Sequence, residues 1–144
     1  MLANADANTN TFVVSVKDTA GLSNTATLYI YVNGAPSLIA NPFNMPDIIA
    51  GQTYSGTIAT NATDPNSADT RSFAKVSGPA RLVVGKDGKL TGESLSADIG
   101  NNSFVVSVTD PRSLSGSAAL NFNAPPPPAT HAALSASGTD LLLN

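Results

Sequence analysis

The stretch Asn10-Thr-Phe-Val-Val-Ser-Val-Lys-Asp18 returns 92 positions later as Asn102-Ser-Phe-Val-Val-Ser-Val-Thr-Asp110. Over positions 10–30 and 102–122, eleven of twenty-one residues are identical without a gap, among them Phe12/Phe104, Val14/Val106, Asp18/Asp110 and Leu28/Leu120. A fixed period marks tandem units, and its length indicates their kind. Solenoid and propeller units run about 20–50 residues, so a period of 92 implies whole domains in a row. A chain of 144 residues has room for one complete unit of that length. Residues 1–34 therefore read as the C-terminal hairpin of a preceding unit, 37–124 as a complete one, and 125–144 as a linker and tail.

Each copy alternates apolar and polar side chains, the period of a strand with one face buried. Phe104, Val106 and Val108 fall on one face, then Asp110-Pro-Arg-Ser-Leu-Ser-Gly116 supplies turn chemistry, and Ala118, Leu120 and Phe122 alternate again. The first copy repeats this β-hairpin with Phe12, Val14, Val16, Leu28 and Ile30. Between the copies, short strands are expected at Tyr54–Ile58, Ser72–Val76, Arg81–Val84 and Lys89–Thr91. Turn signals separate them at Ala62-Thr-Asp-Pro-Asn66, Ser77-Gly-Pro79 and Lys86-Asp-Gly88. Short strands punctuated this often predict an all-β sandwich. The core expected for it is Ile58, Phe73, Val76, Leu82, Val84, Leu90, Phe104, Val106, Val108, Ala118, Leu120 and Phe122.

Composition narrows the function. With Lys+Arg at 7, Asp+Glu at 10 and a net charge of −3, the chain lacks the basic clusters that a phosphate-backbone binder needs, so no nucleic acid is expected. It has no Cys for a disulfide, a thiolate metal site or a thiol nucleophile. No apolar run reaches bilayer length, so no membrane insertion is expected. Met1-Leu2-Ala3-Asn4 has neither the basic start nor the apolar core of a signal peptide, which places any targeting signal upstream. The single His, His131, follows four prolines and makes a poor general base for a Ser nucleophile.

The pieces Ala62-Thr-Asp-Pro-Asn66, Val76-Ser-Gly-Pro-Ala-Arg-Leu82, Asp87-Gly-Lys-Leu-Thr-Gly92 and Asn102–Asp110, in that order, resemble the cadherin-like, dystroglycan-type immunoglobulin-fold repeats of bacterial surface proteins. The resemblance covers residues 37–124 as one repeat and 5–34 as the tail of another, joined by Asn33-Gly-Ala-Pro36. It implies an immunoglobulin/cadherin-like β-sandwich in a secreted or cell-surface protein. Many members carry Trp where Arg81 stands.

Calcium is the one cofactor the pattern suggests, since it takes six to eight oxygen ligands. In such a sandwich the loop after the second strand and the loop after the sixth meet at one end. Asp64, Asn66 and Asp69 fall in the first loop and Asp110 in the second, with Asn33 in the adjacent linker. The resemblance implies an Asp-x-Asp at 64–66, and here Asn66 holds the second place. Asp6, from the preceding repeat, would complete the set. Asp64-Pro65 and Asp110-Pro111 read equally well as turn initiators, whose carboxylates accept backbone N–H bonds.

The expected function is a non-catalytic spacer or adhesion module, stiffened by calcium, with neighbouring repeats, a glycan or another surface protein as partners. The alternatives are a carbohydrate-binding accessory module of a polysaccharide-degrading enzyme, for which Tyr29 and Tyr31 could form a platform, and a strand-complemented assembly subunit that self-associates through residues 10–32. Pro125–Pro128 is a stiff polyproline spacer, and residues 129–144 are read as either the first strand of a further module or a disordered end.

Overall fold

The computed structural model describes residues 6–129. The expectations for His131 and the end of the tail lie outside the described residues. In chain order the strands are β1 (Asn8–Lys17), β2 (Ser23–Val32), β3 (Ser37–Leu38), β4 (Phe43–Asn44), β5 (Thr53–Thr57), β6 (Ala62–Thr63), β7 (Ser72–Ser77), β8 (Val83–Val84), β9 (Lys89–Glu93), β10 (Gly100–Thr109) and β11 (Ser115–Ala124). Single 3-10 turns lie at Ala59–Asn61 and Ser96–Asp98.

The all-β expectation holds, and the fold is an immunoglobulin/cadherin-like sandwich. One sheet runs β4-β11-β10-β7 and the other β5-β9-β8, with β3-β6 as a short ribbon. Among the described residues β1 and β2 pair with each other alone, as the N-terminal hairpin. In β10 the alternation is realised as expected: Phe104, Val106 and Val108 are 2%, 0% and 0% exposed. Across the ladder Phe104 faces Leu120 and Val106 faces Ala118, so one face of the hairpin meets Ile58, Leu82 and Leu90 in the core. Full burial of each such aliphatic contributes about 1.5–3 kcal/mol. Phe122 closes the far end, stacked 5.3 Å from Phe104 and 6.0 Å from Tyr54.

Two expectations need correction, and the core gains two residues. Val76 is 62% exposed, because it lies three positions after buried Phe73 and a pleated strand sends odd-spaced side chains to opposite faces. The strand expected at Arg81–Val84 is only Val83–Val84, although Leu82 beside it is buried. Phe43 and Ala62 are core residues absent from the sequence reading; each sits in a two-residue strand, too short to show an alternation.

Arg81 lies outside the core, and its Nη1 reaches both oxygens of Asp98 at 2.7 and 2.9 Å. Asp98 also accepts the N–H of Leu95 at 2.8 Å, closing the turn that feeds β10. That backbone bond first, and then Arg81, favour the charged carboxylate and hold Asp98 below its ordinary 3.8. A carboxylate whose pKa falls on folding contributes its stability fully above the unfolded pKa and loses it as pH falls through the folded one. Asp98→Asn is therefore expected to lower stability near neutrality, with the difference from the unaltered chain beginning to shrink only as the pH falls below about 4. Urea unfolding at a series of pH values measures this.

Candidate metal centre

The joint between the hairpin and the sandwich brings together the loop between β6 and β7, the turn between β10 and β11, and the linker. Each Asp is placed by local turn chemistry. Asp64 Oδ1 accepts the N–H of Asn66 at 2.8 Å, the hydrogen bond of an Asx turn. Asp110 Oδ1 accepts the N–H of Arg112 at 2.8 Å and of Leu114 at 2.9 Å, winding the hairpin turn in which Ser113 takes φ 70°. The turn-initiator reading therefore describes one oxygen of each of these two residues.

The remaining oxygens give the site its character. One ligand atom from each of Asp64, Asp69 and Asp110 lies within 4.8 Å of the others. Asp64 Oδ2 is buried and has no hydrogen-bond partner. Asp110 Oδ2 accepts Asn33 Nδ2 at 2.6 Å, and the residue is only 5% exposed. Burial opposes its charge, but the hydrogen bonds from Asn33, Leu114 and Arg112 and the Arg112 charge outweigh it and lower the pKa. Asp69 Oδ2 is paired with Arg112 Nη1 at 2.9 Å.

Arg112 is the participant that sequence reasoning missed. Its guanidinium stacks 4.5 Å over the ring of Tyr31, and Nη1 lies 3.4 Å from both Tyr31 Oη and Asn33 Oδ1. The available signal was its place two residues after Asp110, where the first copy has Ala20. Of the other expected ligands, Asn33 joins the cluster through Asp110. Asp6 is outside the trio of converging carboxylates. Its carbonyl accepts Asn10 Nδ2 at 2.7 Å, as the Asp98 carbonyl accepts Asn102 Nδ2 at 2.7 Å.

Asn66 has its side chain turned to the linker. It is 1% exposed; Oδ1 accepts the Gly34 N–H at 2.7 Å, and Nδ2 donates to Val32 O at 3.1 Å and Asn8 Oδ1 at 3.2 Å. Asn8 in turn donates to Pro65 O at 3.0 Å. Because Asn8 and Val32 are ladder partners at the open end of the hairpin, one amide fastens both strands. An aspartate here could not donate to the Val32 carbonyl, which explains the Asn at the second place of the Asp-x-Asp pattern.

The sandwich is immunoglobulin-like, and comparison with known proteins agrees on that fold. The profile of the family described as "Putative Ig domain" matches residues 36–124, and the chain belongs to that family. No curated protein matches the chain. Among solved structures, an endo-fucoidan hydrolase, MfFcnA4 of glycoside hydrolase family 107, is similar at 26% identity and TM-score 0.59, over 86% of this chain and 20% of that one. Extracellular cadherin domains 1–4 of protocadherin gamma B7 align at 16% identity and TM-score 0.57, over 86% of this chain and 33% of theirs. Mouse cadherin-23 EC22–24 aligns at 16% identity and TM-score 0.54, over 81% and 43%. The two cadherins show likeness of fold alone. The chain spans about a fifth of the hydrolase.

Asn66→Ala strands the buried Gly34 N–H and the Val32 carbonyl. The expected cost is about 1–3 kcal/mol per unsatisfied group, seen as a lowered Tm and faster amide exchange across β1 and β2. Asn66→Asp, which keeps the acceptor but loses the donor, is expected to be destabilised as well.

Proposed function

We propose that this chain is a non-catalytic immunoglobulin-like module of a secreted or cell-surface protein whose joint with the preceding repeat is stiffened by calcium. The observation that carries the reading is Asp64 Oδ2, a carboxylate oxygen buried without a partner beside two further carboxylates. Leaving a charged acceptor buried and unsatisfied is costly, and a hard cation that prefers oxygen ligands relieves the cost. The charges support the assignment: three carboxylates and one guanidinium leave a deficit that a divalent ion matches. Asp64, Asp69 and Asp110 would hold the ion, with Asn33 Oδ1 as a neutral oxygen beside them. Bound there, calcium would tie the two loops of the sandwich to the linker and restrict bending between repeats. Neighbouring repeats are then the immediate partners, and adhesion to another surface protein or a glycan is the role such a stiff array serves.

Calcium at about 10⁻⁴–10⁻³ M is expected to raise the melting temperature. No shift at millimolar calcium would refute the metal assignment and leave the spacer role standing. Arg112 already occupies Asp69, so the ion must compete with it. Arg112→Gln is expected to tighten calcium binding by about tenfold, or ~1.4 kcal/mol. Without calcium, the same variant loses the contact with Tyr31 and should be less stable by about 0.5–1 kcal/mol. Isothermal titration and thermal melts of both chains test the two opposite effects.

A second reading is an accessory module of a polysaccharide-degrading enzyme, favoured by the likeness to the fucoidan hydrolase. On this reading Tyr29, 67% exposed on the hairpin, is the aromatic that a glycan would meet, since Tyr31 lies under Arg112. Retention on an insoluble sulfated glycan, lost in Tyr29→Ala, is the expected result.

A further inference from the structure

We propose that the joint is selective. The head of the sandwich, formed by Pro65, Asn66, Asp110 and Arg112, accepts a hairpin that carries Asn8, Tyr31, Asn33 and Gly34, and refuses one that ends as β10–β11 does. The partner that fits this head is therefore an immunoglobulin-like repeat whose last two strands and linker present those four groups. The chain's own complete repeat is not such a partner for a copy of its head. The selection is made by neutral hydrogen bonds and one stacked ring, and it does not rest on calcium.

Each of the four residues meets the head through a group of its own. Asn8 donates Nδ2 to Pro65 O at 3.0 Å and accepts Asn66 Nδ2 on Oδ1 at 3.2 Å. Gly34 donates its N–H to Asn66 Oδ1 at 2.7 Å. A Cβ at Gly34 would stand 3.0 Å from both Cβ and Cγ of Pro65, closer than the ordinary carbon contact of about 3.5–4.0 Å. Asn33 donates Nδ2 to Asp110 Oδ2 at 2.6 Å. Tyr31 supplies the ring over which the Arg112 guanidinium lies at 4.5 Å.

Shifted by 92 positions, the same four places hold Gly100, Asn123, Pro125 and Pro126. The backbone allows the exchange of Asn8 for Gly100, since the two take φ 86° and 107°, but Gly100 has no amide for Pro65 or Asn66. Asn123 has no ring for Arg112, and its Nδ2 is turned to Asp47 Oδ2 at 3.3 Å. Pro125 has no amide for Asp110. Pro126 has no N–H for Asn66 Oδ1 and places ring carbons where Gly34 places none. Of the three partners of Asn66, the Val32 carbonyl alone has an equivalent, at Ala124. A head seated on this tail would bury the Asn66 side chain with its oxygen unsatisfied, and that penalty decides against it. The core-facing pairs of the two hairpins agree, Phe12 with Leu28 as Phe104 with Leu120, whereas all four groups that touch the head differ.

Two fusions test this, each consisting of residues 1–128 followed by a second copy of residues 37–124. One keeps its own tail, and the other carries Gly100→Asn, Asn123→Tyr, Pro125→Asn and Pro126→Gly. A Cβ at Gly100 meets nothing within 4 Å, so that graft does not crowd the first sandwich. Residual dipolar couplings are measured with a chelator and again at millimolar calcium, which reads the choice of tail apart from the metal assignment. The grafted fusion is expected to align both sandwiches with one tensor. The fusion with its own tail is expected to lose the common alignment, while the β10–β11 amides of both copies stay protected from exchange. A common tensor that the grafted fusion gains only with calcium supports the selection and assigns the stiffness to the metal. A common tensor in the fusion with its own tail under either condition, or none in the grafted one under both, overturns the proposal. The reverse exchange is made in the chain as it stands, as Asn8→Gly with Asn33→Pro and Gly34→Pro. It is expected to uncouple β1–β2 from the sandwich and shift the Asn66 side-chain amide resonances, with β10–β11 protection retained. Unshifted Asn66 resonances and a retained common tensor would overturn the proposal as well.

Discussion

The ten-residue ladder of β10 and β11 is the constraint on which the rest of this molecule depends. Its long unbroken register admits only one burial pattern, since a slip of one residue would turn Phe104, Val106 and Val108 outward together. With that face fixed, β7 and β4 add to its two edges and β5-β9-β8 close over the core. The turn at its tip sets Asp110 beside Asp64 and Asp69. The Asp98–Arg81 pair and the Leu95 N–H anchor its start. The same ladder written a second time, as β1 and β2, is what gives the chain its exposed apolar sheet.

The joint is held by polar groups that divide their work. Asn66 uses both ends of its amide on the linker and hairpin, so the hairpin is fastened by neutral hydrogen bonds at a buried position. The carboxylates next to it serve the turns with one oxygen and the shared cluster with the other. Arg112 crosses between the two, covering Tyr31 while neutralising part of the charge at Asp69. Structural fastening and the carboxylate cluster thus sit side by side on different atoms. The exposed pair with Arg112 is by itself a weak tie of about 0–1 kcal/mol, and the buried amide is the stronger one.

Much of the candidate site was legible because turn chemistry places it. Asp64 before Pro65 and Asp110 before Pro111 mark loop starts in any sequence, and the sandwich brings those loops to one end. Asn66 was legible as a position but not as a role: whether an amide faces a cation or a linker carbonyl depends on the path of residues 32–34, which no local pattern encodes. Arg112 was illegible for a similar reason. A long side chain on an exposed turn has many rotamers, and only the presence of Tyr31 and Asp69 selects one. Val76, by contrast, could have been placed correctly, since its odd spacing from Phe73 already puts it on the other face.

The sequence by itself determined the tandem period, the all-β class, the hairpins and most of the core, because these follow from side-chain periodicity and turn residues acting locally. It also determined that one hairpin is a near copy of the other. The tertiary structure alone decided that Phe43 and Ala62 join the core, that one oxygen of Asp64 is left buried without a partner, and that the two copies differ in cover. Those outcomes depend on which distant segments share a boundary, and that is set by closing two sheets over a common volume.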